Sequence, residues 1–236
     1  MTSLACLAAA RDAGLLRDEP AFVAGHSLGE YTALVAGGAL TFEDGLQLVE
    51  QRGRLTQAAA ASAPGGMAAL LGIEEATAAA VCGEAGAELC NINSPGQLVI
   101  GGTKDAVARA CALAIEQGAR KAVPLDVSGA FHTSLMQAAV AGMREAVDST
   151  ELRAPSVPFV ANDRAAPVSD PTEIRDELVF QLTHPVRWVQ CVEYMAGHGV
   201  GTFIEIGPGR VLAGLVKRIA REAAVRNING VASLAA

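Results

Sequence analysis

The sequence predicts an α/β protein in which a parallel-sheet core is interrupted by a small inserted subdomain. Two observations carry that expectation. Short apolar runs alternate with helical periodicity across glycine turns, as where Ala21 to Ala24 runs into Gly-His-Ser-Leu-Gly and then a helix. Between Gly65 and Val127 the order changes to β-α-β-β-α-β, the split βαβ or ferredoxin-like arrangement.

Taken along the chain, Met1 opens an amphipathic helix, Ala21 to Ala24 reads as a strand, and Glu30 to Val35 as a helix stopped by Gly37 and Gly38. Thr41 and Asp44 have the spacing of a capping signal for a helix that carries Leu46, Val49, Arg52 and Leu55 and ends before Pro64. Within the insert, Met67 to Leu71 is a strand and Glu74 to Val81 a helix. Glu88 to Ile92 and Leu98 to Ile100 are strands joined across Asn93-Ser94-Pro95-Gly96. Thr103 caps a helix ending at Gly118, and Lys121 to Leu125 closes the unit. The core then resumes with a helix from Ser134 to Val147, whose Leu135, Ala139, Met143 and Val147 share one stripe, and a strand from Phe159 to Ala161. Asp170-Pro171 starts a helix with proline at its first position, and Pro185 starts another that ends near Gly197 to Gly199. Thr202 to Ile206 is a strand, and Gly207-Pro208-Gly209 turns into a helix from Val211 to Ala220. The expected division is a core of residues 1–64 and 128–236 around an insert of residues 65–127, which would form one wall of a cleft.

Composition narrows the function classes. The chain has 236 residues, 51% hydrophobic and 18% charged, which excludes a disordered or fibrous protein. Much of the apolar content is alanine and aromatics are 4%, so stability must come from close, regular packing. A net charge of -7 with no basic cluster among aromatics argues against nucleic-acid binding. Cys6, Cys82, Cys90, Cys111 and Cys191 show neither CxxC spacing nor nearby histidines, so no disulfide framework and no metal site is expected. No apolar run is long enough to span a bilayer and no secretory leader is evident, so the reading is a cytoplasmic protein that does not enter a membrane.

The sharpest chemical signal is Gly25-His26-Ser27-Leu28-Gly29, a G-x-S-x-G motif between a strand and a helix, which makes the core α/β-hydrolase-like. A serine at such a tip needs strained backbone angles, and flanking glycines are expected to let strand and helix approach. The hydroxyl then sits near a helix N-terminus, where the amide of Leu28 can steady an oxyanion. As a bare pattern the motif also fits an ordinary turn; its placement favours a nucleophile. Serine needs a base. His26, beside Ser27, reads as a packing or hydrogen-bonding residue; His184 and His198, at helix ends, read as structural. His132, in the polar loop Ser128-Gly129-Ala130-Phe131-His132, stands where a base is normally displayed.

Gly25-His26-Ser27-Leu28-Gly29-Glu30-Tyr31, Gln51-Arg52-Gly53, Asn93-Ser94-Pro95-Gly96-Gln97, Gly129-Ala130-Phe131-His132, Gln181 with Pro185 and Trp188, and Glu205-Ile206-Gly207-Pro208-Gly209 occur in that order along nearly the whole chain. Together they resemble the malonyl-CoA:acyl-carrier-protein transacylases of type II fatty acid synthesis. The resemblance implies that Ser27 is acylated, that His132 is its general base and acid, and that the backbone carbonyl of Gln181 holds the imidazole in place of a carboxylate. It implies that Arg52 binds the malonyl carboxylate, which suits a planar fork of donors better than lysine's point charge. Without it Arg52 reads as a solvated helix charge. Phe131 would crowd an α-methyl group and so favour malonyl over methylmalonyl. The implied partners are a coenzyme A thioester and acyl carrier protein, with no cofactor and a monomeric enzyme; Arg153, Arg164, Arg187, Arg210, Lys217 and Arg218 are candidates for meeting an acidic carrier, or simply solvated charges. Members of the family also carry a strand and a Gly-Gln-Gly-Ser-Gln loop several dozen residues before the elbow, which here opens at Gly25. The expectation is therefore a chain without that segment and its oxyanion glutamine.

Two other readings stay open. An α/β-hydrolase esterase needs serine, acid and histidine in that order, which Ser27, Asp170 or Asp176, and His198 would supply. A catalytically impaired, carrier-binding remnant would keep the surface and lose the chemistry.

Overall fold

In the computed structural model, residues 1–16, 18–230 and 233 are described; the last part of the expected core segment, residues 231, 232 and 234–236, lies outside them. Helix α1 spans Thr2–Asp12, strand β1 Val23–Ala24, α2 Gly29–Ala36 and α3 Phe42–Ser62. The next unit runs β2 Gly66–Leu71, α4 Glu75–Ala85, β3 Glu88–Ser94, β4 Gln97–Gly102, α5 Lys104–Glu116 and β5 Lys121–Leu125. A single 3-10 turn at Ser134–Met136 leads into α6, Gln137–Asp148. Then follow β6 Phe159–Val160, β7 Pro167–Val168, α7 Pro171–Phe180, α8 Trp188–Gly197, β8 Thr202–Ile206, α9 Val211–Ile219 and β9 Ala224–Ile228.

Local chemistry accounts for the helix starts. The Thr41 hydroxyl accepts from Asp44 N at 3.1 Å, and that of Thr103 from Ala106 N at 3.2 Å. The Asp170 carboxylate accepts from Thr172 N and Glu173 N, with Pro171 at the first helical position where no N–H is needed. Such caps contribute about 1 kcal/mol each.

Strands β3, β4, β2 and β5, in that spatial order and antiparallel throughout, form a four-stranded sheet. It has its own apolar core of Ala68, Leu70, Val81, Leu98, Ile100 and Ala110 under α4 and α5. In the larger part, β1 pairs parallel with β6, aligning Val23 with Phe159 and Ala24 with Val160, and β7 adds antiparallel to β6. Strands β8 and β9 pair parallel in a separate sheet. The parallel core is thus two short sheets, and α8 and α9 bury Trp188, Cys191, Leu215 and Val216 with Val160 of β6. Helices α2, α3, α6 and α7 bury Tyr31, Leu34, Leu48, Met143 and Leu178 with Phe159 in the main core.

One expected element begins later than its proline signals. Val186 donates its N–H to Cys90 O and accepts from Ile92 N, bridging β3 at Asn91, so 185–187 is extended and α8 starts at Trp188. Proline fixed the φ of that segment, and the neighbouring sheet edge took its hydrogen bonds. Strands β7 and β9 were not anticipated: one is very short and the other, Ala-Val-Arg-Asn-Ile, has no clean alternation.

Candidate active site

Ser27 stands between the end of β1 and the start of α2 with φ 51°, in the left-handed region. For a residue with a Cβ this costs on the order of 1 kcal/mol or more, so the surroundings must impose it. They do so through buried amides. Asn162 Oδ1 accepts from Ser27 N at 2.7 Å while Asn162 Nδ2 donates to Gly25 O at 2.8 Å. Gln181 Nε2 donates to Ser27 O at 3.2 Å. Gly25 is required sterically, because a Cβ there would overlap the Gly29 carbonyl. The expectation of two necessary glycines is corrected at Gly29, where a Cβ meets nothing within 4 Å; the close approach involves the backbone of Gly29 but not its Cα substituent.

The geometry fixes the direction of each hydrogen bond around the nucleophile. His132 Nδ1 lies 2.6 Å from Gln181 O, and a carbonyl can only accept, so Nδ1 carries the proton. Nε2 is then the free lone pair, and it lies 2.7 Å from Ser27 Oγ, whose hydroxyl donates to it. His132 itself has φ 62°, is buried, and is held in a loop pinned by Thr133 Oγ1 donating to Ala130 O at 2.6 Å. Burial, reinforced by the Arg52 charge, lowers its pKa from 6.5 to about 3. The imidazole is therefore neutral and ready to take a proton.

The sign of the resulting pH dependence follows. Between about pH 3 and 6.5 the unfolded chain binds a proton at His132 that the folded chain does not, so this residue lowers stability as pH falls through that window. For activity, the acid limb of Ser27 acylation should lie well below pH 6.5. A stopped-flow profile of acylation against pH checks this, and a limb at or above 6.5 would contradict it.

Arg52, on α3, reaches over the nucleophile. Its Nη2 donates to Ser27 Oγ at 2.9 Å and to Gln181 Oε1 at 3.1 Å, and its guanidinium lies 5.9 Å from the centroid of the Tyr31 ring. Its Nε is buried with no hydrogen-bond partner. The elbow's own turn bonds run from Gly29 N to His26 O and from Glu30 N to Ser27 O; the Leu28 amide, at the N-cap of α2, stands between them. Leu28 is 47% exposed. Phe131 packs against both the main core and the patch of Met67, Cys90 and Val99 on the small sheet, which puts it at the junction of the two parts.

The remaining histidines are engaged elsewhere. His26 Nε2 bonds Asn93 Oδ1 at 2.8 Å and packs on Trp188, His184 Nδ1 lies 2.8 Å from Phe180 O, and His198 stacks on Tyr194 with centroids 4.0 Å apart. The acid of the esterase reading has no counterpart at Ser27. Asp170 caps α7, Asp176 pairs with Arg144 at 2.8 Å, and the group behind the His132 imidazole is a main-chain carbonyl. The basic candidates are spread over several elements: Arg153 and Arg164 pair with Glu151 and Glu173, and Arg218, on α9 with Lys217, bonds Gln97. Among the described residues, no cluster of three His, Cys, Asp or Glu side chains is placed to hold a metal, and no helix is long and apolar enough to cross a membrane. All five cysteines are free.

Sequence reasoning missed Asn162, which ties the elbow to the end of the neighbouring strand, and gave Glu30 no task of its own. The available signal for Asn162 was a polar residue directly after the apolar Phe159 to Ala161, at the carboxyl end of the strand beside β1.

A strained serine, a neutral buried imidazole and an arginine on an α/β core form an arrangement suited to serine-dependent acyl transfer. The model of the acyl transferase domain matches residues 3–234. A malonyl CoA-acyl carrier protein transacylase of Bacillus subtilis is 42% identical over 225 residues, covering 93% of this chain and 70% of the relative. The solved acyl-carrier-protein S-malonyltransferase of Burkholderia pseudomallei 1710b superposes with a TM-score of 0.94 at 46% identity, covering 99% of this chain and 77% of the other. A malonyl-transacylase solved in complex with a type II polyketide acyl-carrier protein gives 0.95 at 39% identity, over 99% and 76%. The chain belongs to the malonyl-CoA:acyl-carrier-protein transacylase family.

Proposed function

We infer that the protein moves a malonyl group from malonyl-CoA to the phosphopantetheine thiol of acyl carrier protein through an ester on Ser27. The observation that carries this reading is the guanidinium of Arg52, whose Nη2 donates to the Ser27 oxygen at 2.9 Å while its Nε has no partner. A neutral acyl group has no use for that charge; a malonyl group brings a carboxylate to meet it.

In the proposed mechanism the malonyl carboxylate draws the Arg52 guanidinium to itself, releasing Ser27 Oγ from that hydrogen bond. His132 Nε2 takes the hydroxyl proton as Oγ attacks the thioester carbon, and the Leu28 amide steadies the developing oxyanion. The imidazolium is held by Gln181 O at 2.6 Å. As the carbonyl re-forms, the C–S bond breaks and His132 returns the proton to the leaving sulfur. The carrier thiol then repeats the sequence: His132 deprotonates it, its sulfur attacks the malonyl ester, and Ser27 leaves with the proton. Phe131, at the junction with the small sheet, limits room beside the malonyl α-carbon and so disfavours a methyl branch.

The same reading takes residues 65–127 as a subdomain inserted between 1–64 and 128–236, supported by the separate apolar core of the small sheet. It takes the protein as a cytoplasmic monomer without cofactor, supplying malonyl units to fatty acid synthesis. The test is whether Ser27 accepts the malonyl group and, once free CoA is removed, passes it to carrier protein.

A further inference from the structure

Beside the elbow lies a second, wholly buried polar assembly. Glu30, in the first turn of α2, accepts from Asn162 N at 2.7 Å through Oε1 and from Gln181 Nε2 at 2.6 Å through Oε2. Glu177, on α7, is buried close enough to couple electrostatically with it, and accepts from Asp163 N at 2.8 Å. Burial pushes both carboxyl groups up, and for Glu30 the Glu177 charge adds to the effect.

Gln181 has four tasks. Its backbone carbonyl orients His132, its Oε1 accepts from Arg52, and its Nε2 donates to Ser27 O and to Glu30. Asn162, whose amide N–H is the other group Glu30 holds, anchors Ser27 N and Gly25 O. We propose that Glu30 is the positioning residue of the site: by accepting at both oxygens it fixes Asn162 and the direction of the Gln181 amide, and through that amide sets the Arg52 head for the malonyl carboxylate. The Glu30 carboxyl bonds Asn162 and Gln181 and not the Ser27 hydroxyl.

The proposal distinguishes Glu30 from its partner. In Glu30→Gln one oxygen becomes an N–H₂ group, so either Asn162 N–H or Gln181 Nε2 faces a donor. If Gln181 turns over, its N–H₂ meets the guanidinium of Arg52 instead of its oxygen. In Glu177→Gln the new amide can donate to Glu30 and still accept from Asp163 N, leaving both bonds from Glu30 in place.

The inference rests on the malonyl reading, and the experiment separates the two. Steady-state transfer from malonyl-CoA and from acetyl-CoA is compared for the unaltered protein, Glu30→Gln and Glu177→Gln. The expected result is a fall of about 100-fold in kcat/KM for malonyl-CoA in Glu30→Gln, as for a misplaced anchoring group, with a much smaller fall for acetyl-CoA and little change in Glu177→Gln. Equal losses for both substrates, or equal losses in both variants, overturn the proposal, because a purely structural carboxyl pair predicts that pattern. Absence of malonyl preference in the unaltered protein instead overturns the malonyl reading. If Glu30→Gln does not fold, Gln181→Met removes the amide that Glu30 directs and keeps the backbone carbonyl. It should show the same malonyl-selective loss, and an unchanged malonyl-to-acetyl ratio overturns the proposal.

Discussion

Replacing His132 by alanine should slow acylation of Ser27 by roughly four orders of magnitude or more, the scale seen when a nucleophile loses its base. The size of the effect follows from what remains. Ser27 Oγ would keep only the hydrogen bond donated by Arg52 at 2.9 Å, which withdraws electron density from the oxygen and makes it a poorer nucleophile. No other histidine can substitute: His26 is committed to Asn93, His184 to Phe180 O and His198 to the stack with Tyr194. Cavity formation at a buried histidine also lowers stability, so the measurement is made on folded protein, with the acylation burst from malonyl-CoA compared at matched concentrations. A loss of less than about tenfold would remove His132 from the role of base.

The second large effect belongs to Arg52. Truncation to alanine should lower kcat/KM for malonyl-CoA by about 100-fold or more, the range expected when one partner of a buried charge pair is removed. Acetyl-CoA should be affected little, and its transfer can rise, since Ser27 Oγ loses a competing donor. Arg52→Lys should recover only part of the malonyl rate, because an ammonium cannot present the two parallel donors of the guanidinium edge. The malonyl-to-acetyl ratio is the informative quantity. An Arg52→Ala protein that kept its malonyl preference would place carboxylate recognition elsewhere. One that lost both substrates equally would make Arg52 a support for the elbow.

Features governed by short-range chemistry were legible in the sequence. Thr41, Thr103 and Asp170-Pro171 announced their helices because a cap is decided within one turn, and the caps are made as expected. The βαββαβ order of the small unit followed from period and turn residues, and its strand order agrees with that pattern. Ser27 and His132 could be named from the elbow motif and the loop that displays the histidine, Arg52 and Gln181 only through the family resemblance, and the structure brings the four together.

What was not legible depends on partners far along the chain. Asn162 serves the elbow across 135 positions, and nothing next to it marks it as more than a polar residue after a strand. Glu30 reads in the sequence only as the start of a helix; that it is buried beside Glu177 is a property of how α2 and α7 meet. Pro185 was a sound start signal overridden by a sheet edge, since Val186 found its hydrogen bonds on β3. Gly29 shows the converse: a motif glycine whose need could be judged only once the backbone around Gly25 was in place.

The central claim is that Ser27 carries the malonyl group between its two thiols. Intact-protein mass spectrometry after brief exposure to malonyl-CoA tests it most directly, followed by peptide mapping and by addition of phosphopantetheinylated carrier protein to the desalted acyl-enzyme. The account predicts a gain of about 86 Da, one malonyl group in place of a proton, confined to the peptide containing Ser27, absent in Ser27→Ala, and lost as the carrier gains the same mass. Transfer that proceeds undiminished in Ser27→Ala, or an acyl group found on another residue, would contradict it.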